Sequence, residues 1–367
     1  MKNNNRIGIF LGHPAHFHLY KNVAKQLKEN GYIVDFLVKR KDILEKLLQN
    51  AGLDYIIVRE EERKVTSKIG LMWSILTLEW QMFKYMFCKK PRLVTGTYIA
   101  LCNKILKVPM LVCNEDDADV VPRFAMLSYP GASAILNPIV CNSGKWNEKA
   151  IKYNSYQELA YLHPNHFTPR KEVVEQYFSV DKPYMIMRFA KLTAHHDSDI
   201  QGITLEIAKK LIDIISPQMD IYITSERELE SELEPYRIKI NPLHMHDVMA
   251  FASLYVGDSQ TMAAEAGVLG VPFVRFNDFV GRIGYLRELE DVYNLGYGIR
   301  TNEVEKLYKV VENLVFMSNR HEVFGERIKK MLSEKIDYAK FLTWFIENYP
   351  ESAKIMKDNP NYQYKIS

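Results

Sequence analysis

The stretch Leu254-Tyr255-Val256-Gly257-Asp258-Ser259-Gln260-Thr261-Met262-Ala263-Ala264-Glu265-Ala266-Gly267-Val268-Leu269-Gly270-Val271-Pro272-Phe273-Val274-Arg275-Phe276 decides the fold. Leu254–Gly257 and Phe273–Phe276 are short apolar runs of strand length, and Thr261–Leu269 between them is long enough for a helix. Ser259 stands where a helix N-cap belongs. A strand, a capped helix and a second apolar strand predict parallel neighbours in a sheet covered on both faces.

The same stretch carries the best candidate for a ligand. A helix that begins at Ser259 offers unpaired backbone N–H groups and the positive end of its dipole, which suits a diphosphate. Ser259 and Thr261 add hydroxyl donors, and Asp258 and Gln260 flank the cap. Glu265 lies one turn after Thr261 on the same side of the helix. A carboxylate there can accept both hydroxyls of a ribose. The plainer reading, a capped helix with a solvated Glu265, accounts for Ser259. It leaves the small residues Ala263, Ala264, Ala266 and Gly267 unexplained.

Outward from this unit the rhythm repeats. Tyr184–Arg188 reads as a strand, Gly202–Ile215 as a helix, Asp220–Thr224 as a strand and His246–Phe251 as a short helix. The first half has its own series. Arg6–Leu11 is a strand ending at Gly12, and Tyr20, Val23, Ala24 and Leu27 mark one face of a helix. Strands at Ile33–Val38, Tyr55–Val58, Arg92–Thr95 and Met110–Cys113 alternate with helices at Lys41–Ala51 and around Ile99–Leu106. Between the halves, His163-Pro164, Thr168-Pro169 and Lys182-Pro183 break the pattern, so the domain crossover falls within residues 142–183. We expect an N-terminal domain over 1–165, a C-terminal domain over 166–334, and a helical tail from 335 to 367. Ile336, Ala339, Phe341, Leu342, Trp344 and Phe345 form an apolar stripe that a free tail would leave wet, so the tail is expected to cross back to the N-terminal domain. Two such series predict two facing Rossmann-like domains with ligands at the carboxyl ends of the strands.

Three further segments sit at such ends. Gly12-His13-Pro14-Ala15-His16-Phe17-His18 follows the first strand, and its imidazoles can donate to phosphate or act as bases. Asn114-Glu115-Asp116-Asp117 follows Met110–Cys113. Adjacent carboxylates raise one another's pKa and can supply a general base, with Glu115 and Asp116 nearest the strand. Arg188-Phe189-Ala190-Lys191-Leu192-Thr193-Ala194-His195-His196-Asp197 opens the second domain. There Arg188, His195 and His196 can neutralise a departing diphosphate without a metal. His244, before Met245-His246-Asp247, joins the substrate-binding candidates. For any one of these groups a capping or solvated role is the plain alternative.

Composition excludes other classes. The 367 residues are 47% hydrophobic and 25% charged with a net charge of +3, which gives no basic footprint for nucleic acid. Cys88, Cys102, Cys113 and Cys141 form no metal or disulfide pattern. P-loop, H-E-x-x-H and G-x-S-x-G motifs are absent, and Gly12 opens no G-x-G-x-x-G. Neither a metal nor a cofactor is expected. The N-terminus lacks the apolar stretch of a signal peptide, so a cytoplasmic location is expected. Ile69–Cys88 is apolar but carries Glu79 and Lys84, too costly for a spanning helix. It reads as a largely buried helix, or as one resting at the inner face of a membrane with Lys84, Lys89 and Lys90 toward headgroups.

His13 to His18, Tyr156-Gln157-Glu158-Leu159-Ala160-Tyr161-Leu162-His163-Pro164, Arg188-Phe189, Met245-His246-Asp247 and Gly257 to Ala266 together resemble the family catalogued as domain of unknown function 354, over about Arg6 to Ser318. That group is similar to glycosyltransferase-B proteins and to UDP-N-acetylglucosamine 2-epimerases. The resemblance implies an α/β fold of glycosyltransferase-B type, two Rossmann-like domains facing a central cleft. It matches Ser259, Thr261 and Glu265 to the epimerases' phosphate and ribose contacts, and Glu115 and Asp116 to an acidic position after an equivalent strand. Arg188-Phe189-Ala190 stands where epimerases carry His-Arg-Arg-Glu-Asn, which favours a transferase. The expectation is therefore a metal-independent glycosyltransferase that moves a sugar from a nucleotide-diphosphate donor, a UDP-sugar by preference, to a glycan or lipid-linked acceptor in surface polysaccharide biosynthesis. A 2-epimerase and a non-catalytic nucleotide-sugar-binding protein are the alternatives.

Overall fold

The structure, a computed structural model, describes residues 5–40, 42–59, 68–96, 103–190 and 202–366. The chain forms two compact units, Met1–Tyr161 with Ile336–Ser367, and Leu162–Lys335. Lys191, His195 and His196 lie outside the described residues.

In unit 1 the chain runs through β1 (Arg6–Leu11), α1 (Pro14–Glu29), β2 (Ile33–Lys39), α2 (Asp42–Asn50), β3 (Tyr55–Arg59), α3 (Lys68–Lys89), β4 (Leu93–Gly96), α4 (Asn103–Leu106), β5 (Met110–Cys113), α5 (Pro122–Ser128), β6 (Ala134–Pro138) and β7 (Ala150–Tyr153). The strands pair in parallel in the order β3-β2-β1-β4-β5-β6-β7. Order reverses between β1 and β4, and the Gly12 loop leaves β1 at that point. Strands β4, β5 and β6 are buried along their whole length, as continuous apolar runs in parallel sheets require.

Single turns α6 (Leu159–Leu162) and α7 (Lys171–Val174) lead into unit 2. It comprises β8 (Tyr184–Phe189), α8 (Leu205–Ile215), β9 (Asp220–Ser225), α9 (Met245–Ala250), β10 (Leu254–Gly257), α10 (Gln260–Val268), β11 (Phe273–Phe276), α11 (Gly284–Arg287), β12 (Gly296–Ile299), α12 (Val304–Val315) and α13 (Arg320–Glu334). Its parallel sheet runs β12-β11-β10-β8-β9. Here the order switches between β8 and β10, where an open α/β sheet forms its ligand crevice. Arg188 and Gly257 are register partners across that switch. These are two Rossmann-like parallel sheets, as expected.

The last segment, α14 (Tyr338–Glu347) and α15 (Glu351–Asp358), belongs to unit 1. The Asp337 carboxylate caps α14 by accepting from the Lys340 amide. The Ile336 amide donates to Asn154 O at 3.0 Å, and Ser155 Oγ donates to Ile336 O at 2.7 Å. Tyr338 stacks on Tyr153 with ring centres 4.2 Å apart.

One expectation needs correction. The apolar segment becomes α3, but only one side is buried. Leu78, Met82, Tyr85 and Met86 enter the core with Val94, Met110, Val112 and Ile135, while Met72, Trp73, Leu76, Trp80 and Phe87 are exposed. The two units divide between Tyr161 and Leu162, after β7. Among the described residues no helix is long and apolar enough to cross a membrane.

Candidate functional site

In unit 2 the crevice at the β8–β10 switch is built by two strand exits. Gly257 ends β10 so close to β8 that a Cβ there would stand 2.9 Å from both Cβ and the carbonyl oxygen of Arg188. Only glycine lets the two exits approach this far. Ser259 then caps α10, its hydroxyl accepting from the Met262 amide at 3.4 Å. Ser259, Gln260 and Thr261 are half-buried at the first turn, where backbone N–H groups lack intrahelical partners.

Glu265 is 5% exposed, one turn below Thr261, with Oε1 3.0 Å from His246 Nε2. It is no solvated surface charge. The plainer reading of this helix fails at Glu265 but succeeds at the small residues. Ala263, Ala264 and Ala266 are fully buried, and a Cβ on Gly267 would meet the Phe273 ring at 2.8 Å. The helix is slim because it packs tightly on β11, not because a ligand approaches it there.

Arg188 leaves β8 with its guanidinium paired to Glu226. Its Nε is buried and meets no acceptor among the described residues. Asp258 points back into the fold. Its Oδ1 accepts from the Ala190 amide at 2.6 Å, tying the two strand exits together. Burial lifts its pKa to about 6 against the pull of neighbouring amides. Asp258 is thus a brace of the crevice. His244 Nδ1 lies 2.9 Å from the Tyr177 hydroxyl. Asp247 is buried and binds Arg170 through both oxygens, a structural pair.

In unit 1 the histidines turn inward on their own loop. His13 caps α1, its Nδ1 accepting from the Ala15 amide at 3.3 Å. His16 Nδ1 accepts from the Gly12 amide at 3.1 Å. An imidazole whose Nδ1 accepts carries its neutral-state proton on Nε2. Both side chains are therefore donors at Nε2, suited to an anion and unsuited to acting as bases in this arrangement. His18 is buried against Phe17 and Tyr161.

The carboxylates after β5 differ from one another. Glu115 Oε2 accepts from the Gln157 amide at 3.0 Å, and burial pushes its pKa up to about 8. Asp116 is lifted to about 6, first by burial and then by the charge of Asp117. Asp117 Oδ1 accepts from the Asn142 amide at 2.7 Å and Asp119 is exposed. Glu115 and Asp116 thus titrate near the pH at which a general base works best.

Two neighbours were missed from the sequence. Lys152 on β7 donates to Asn137 Oδ1 at 2.6 Å, and Asn137 donates to Asn114 O at 2.9 Å. Burial lowers the Lys152 pKa while Cys141 and Asp117 raise it. The alternation of buried Ile151 and Tyr153 with Ala150 and Lys152 was the available signal. His246 stands within the Met245-His246-Asp247 motif, but its spacing from Glu265 gives no sign that the two share a site.

No family model matches this sequence, and no curated protein matches it. Solved structures do. The glycotransferase of kitacinnamycin aligns at a TM-score of 0.62 and 12% identity over 95% of this chain and 99% of its own. The S. aureus MnaA–UDP co-structure aligns at 0.64 and 11%, over 96% and 97%. The UDP-GlcNAc 2-epimerase of Neisseria meningitidis, bound to UDP-GlcNAc, aligns at 0.57 and 14%, over 89% and 100%. At these identities the likeness is one of fold, the glycosyltransferase-B arrangement.

Proposed function

We propose that the protein is a glycosyltransferase that uses a nucleotide-diphosphate sugar. The observation that carries this is the strand exit of β10. The capped first turn of α10 offers donors for a diphosphate, and a buried carboxylate follows one turn later at ribose distance along the helix. Ser259, Gln260 and Thr261 would hold the phosphates and Glu265 the ribose, with His246 fixing the carboxylate. Arg188, whose Nε meets no acceptor among the described residues, would stabilise the departing diphosphate. Structures of the same fold with UDP and with UDP-GlcNAc support a UDP-sugar as donor.

Unit 1 is read as the acceptor unit. Glu115 or Asp116 would take the proton of an acceptor hydroxyl, and His13 and His16 would donate to an anionic part of a substrate. A glycan or lipid-linked acceptor fits a role in surface polysaccharide biosynthesis on the cytoplasmic side. No divalent metal is required in this reading. The test is incubation with UDP-N-acetylglucosamine, with and without lipid-linked acceptor, with and without EDTA. Acceptor-dependent UDP release that survives EDTA is expected. Formation of a 2-epimer or free UDP with no acceptor present would replace the transferase by an epimerase. Binding without turnover would leave a binding protein, and loss of turnover restored by magnesium would overturn the metal-free reading.

A further inference from the structure

We propose that unit 1 docks on an anionic lipid surface through the face made by α3, α4 and α5. The inference stands apart from the reaction proposed above.

These three helices cover one face of the sheet, since Leu78, Met82 and Met86 of α3, Leu106 of α4 and Ala125 of α5 share one core cluster. Their outward sides are apolar. Trp73, Leu76, Trp80 and Phe87 recur at helical spacing along α3, and Trp73 and Trp80 are 64% and 63% exposed. Phe83 stacks between Trp80 and Phe87, with ring centres 5.8 and 5.9 Å away. Ile105, Met126 and Leu127 extend the exposed area onto α4 and α5. Isolated surface apolar residues are ordinary, but an exposed aromatic ridge such as that of α3 marks an interaction site.

The exposed charges described on these three helices are basic. Lys84, Lys89 and Lys90 are exposed on and just after α3, and Lys104 and Lys107 beside Ile105. A cavity of about 380 Å³ adjoins them, lined by Lys104, Lys107, Lys149, Asn103 and Ser133 among others, with no acidic residue. Lys149 holds its rim by donating to the carbonyls of Tyr129, Pro130 and Ala132. Glu79, half-buried, is the only acid in α3, α4 and α5.

That pattern selects the occupant. Tryptophan prefers the boundary between hydrocarbon and headgroups, and lysine stems reach from apolar surface to phosphate. A second copy bound through the same patch would bring basic groups of both copies into one interface with Glu79 as the only acid of the three helices to offset them. An anionic bilayer meets both the apolar and the basic components at once.

Flotation of the full chain with vesicles decides the matter. Phosphatidylcholine alone is compared with phosphatidylcholine carrying about 30 mol% phosphatidylglycerol. Binding to the anionic vesicles, weakened by salt and accompanied by a blue shift in tryptophan emission, is expected. Each basic side chain lost should weaken partition about fivefold, so Lys104→Glu with Lys107→Glu should cost about 25-fold or more. Trp73→Ser with Trp80→Ser should cost at least about tenfold. All four side chains are exposed, and circular dichroism of each variant checks that the fold survives. Should a variant misfold, the parent's preference between vesicles and its salt response still separate the outcomes. Equal binding to neutral vesicles, or none to either, overturns the proposal. So does a dimer by light scattering that the tryptophan substitutions convert to monomer.

Discussion

Replacing Glu265 separates its structural role from its proposed hold on a ribose. The carboxylate is 5% exposed and stands 3.0 Å from His246 Nε2. Glu265→Ala removes the acceptor from a buried imidazole as well as any ligand contact, so it should lower stability by about 1–3 kcal/mol even without nucleotide. Glu265→Gln is the sharper probe. Its amide oxygen can still accept from His246, and its volume is nearly unchanged, so the free protein should melt close to the parent. What it loses is the charge. A hydrogen bond to an ionised group contributes about 1.5–3 kcal/mol, which converts to a Kd for UDP about 10- to 150-fold weaker. Calorimetric titration with UDP, paired with thermal melts of the free proteins, reads both quantities. If Glu265→Gln melts like the parent and binds UDP with unchanged affinity, the carboxylate serves only His246 and the ribose assignment is refuted.

Titration should reveal which carboxylate works in unit 1. Glu115 has its pKa raised to about 8 from an ordinary 4.5, so the folded state binds its proton more tightly than the unfolded chain, and stability falls as pH rises from about 4.5 through about 8. If Glu115 is the base, turnover rises through that same upper limit, and Glu115→Gln, which keeps an acceptor for the Gln157 amide, abolishes the rise; a midpoint near 6 that persists in Glu115→Gln assigns the base to Asp116 instead. Deleting the chain from Asp337 onward should unfold unit 1. Tyr338, Phe341, Leu342, Phe345 and Ile346 are each buried there, and at about 1.5–3 kcal/mol per side chain their loss approaches the whole stability of a domain. Hydrogen exchange reads this directly: amides of β1 and β5 that keep their protection in the truncated protein would contradict it.

The parts of the fold legible in the sequence are those where burial writes a continuous apolar run. Arg6–Leu11, Met110–Cys113 and Leu254–Gly257 are central parallel strands, buried on both faces, and each ends at a residue type that a turn needs. Edge strands carry less information. β7 is half-wet, with Ala150 and Lys152 turned away from the core, and β12 is Gly-Tyr-Gly-Ile, whose glycines give weak strand signal. Helix α3 misled for the opposite reason. Periodicity cannot distinguish an apolar face that meets a core from one that meets something else, so Trp73 and Trp80 read as core and are exposed.

The candidate site shows the same division between position and contact. Residues at strand exits can be placed from sequence because topology puts them at the switch point whatever their partners are. Their partners depend on tertiary approach. Asp258 looked like a ligand for substrate and braces Ala190, and Asp117, in the acidic run after β5, holds Asn142. His13 and His16 looked like bases and cap their own helix through Nδ1. All four meet backbone amides, His13 and His16 within four residues of themselves and Asp258 and Asp117 across 68 and 25 residues of chain. Glu265 and Arg188 are the exceptions, and for a shared reason. Glu265 projects from the helix body and not its cap, and Arg188 is too long to close on its own turn. Glu265 met His246, nineteen residues earlier in the chain, and Arg188 met Glu226, its Nε without an acceptor among the described residues. Both pair with side chains at the β8–β10 switch, and the proposed function rests more on these two than on the acidic and histidine clusters, which stand out more strongly in the sequence.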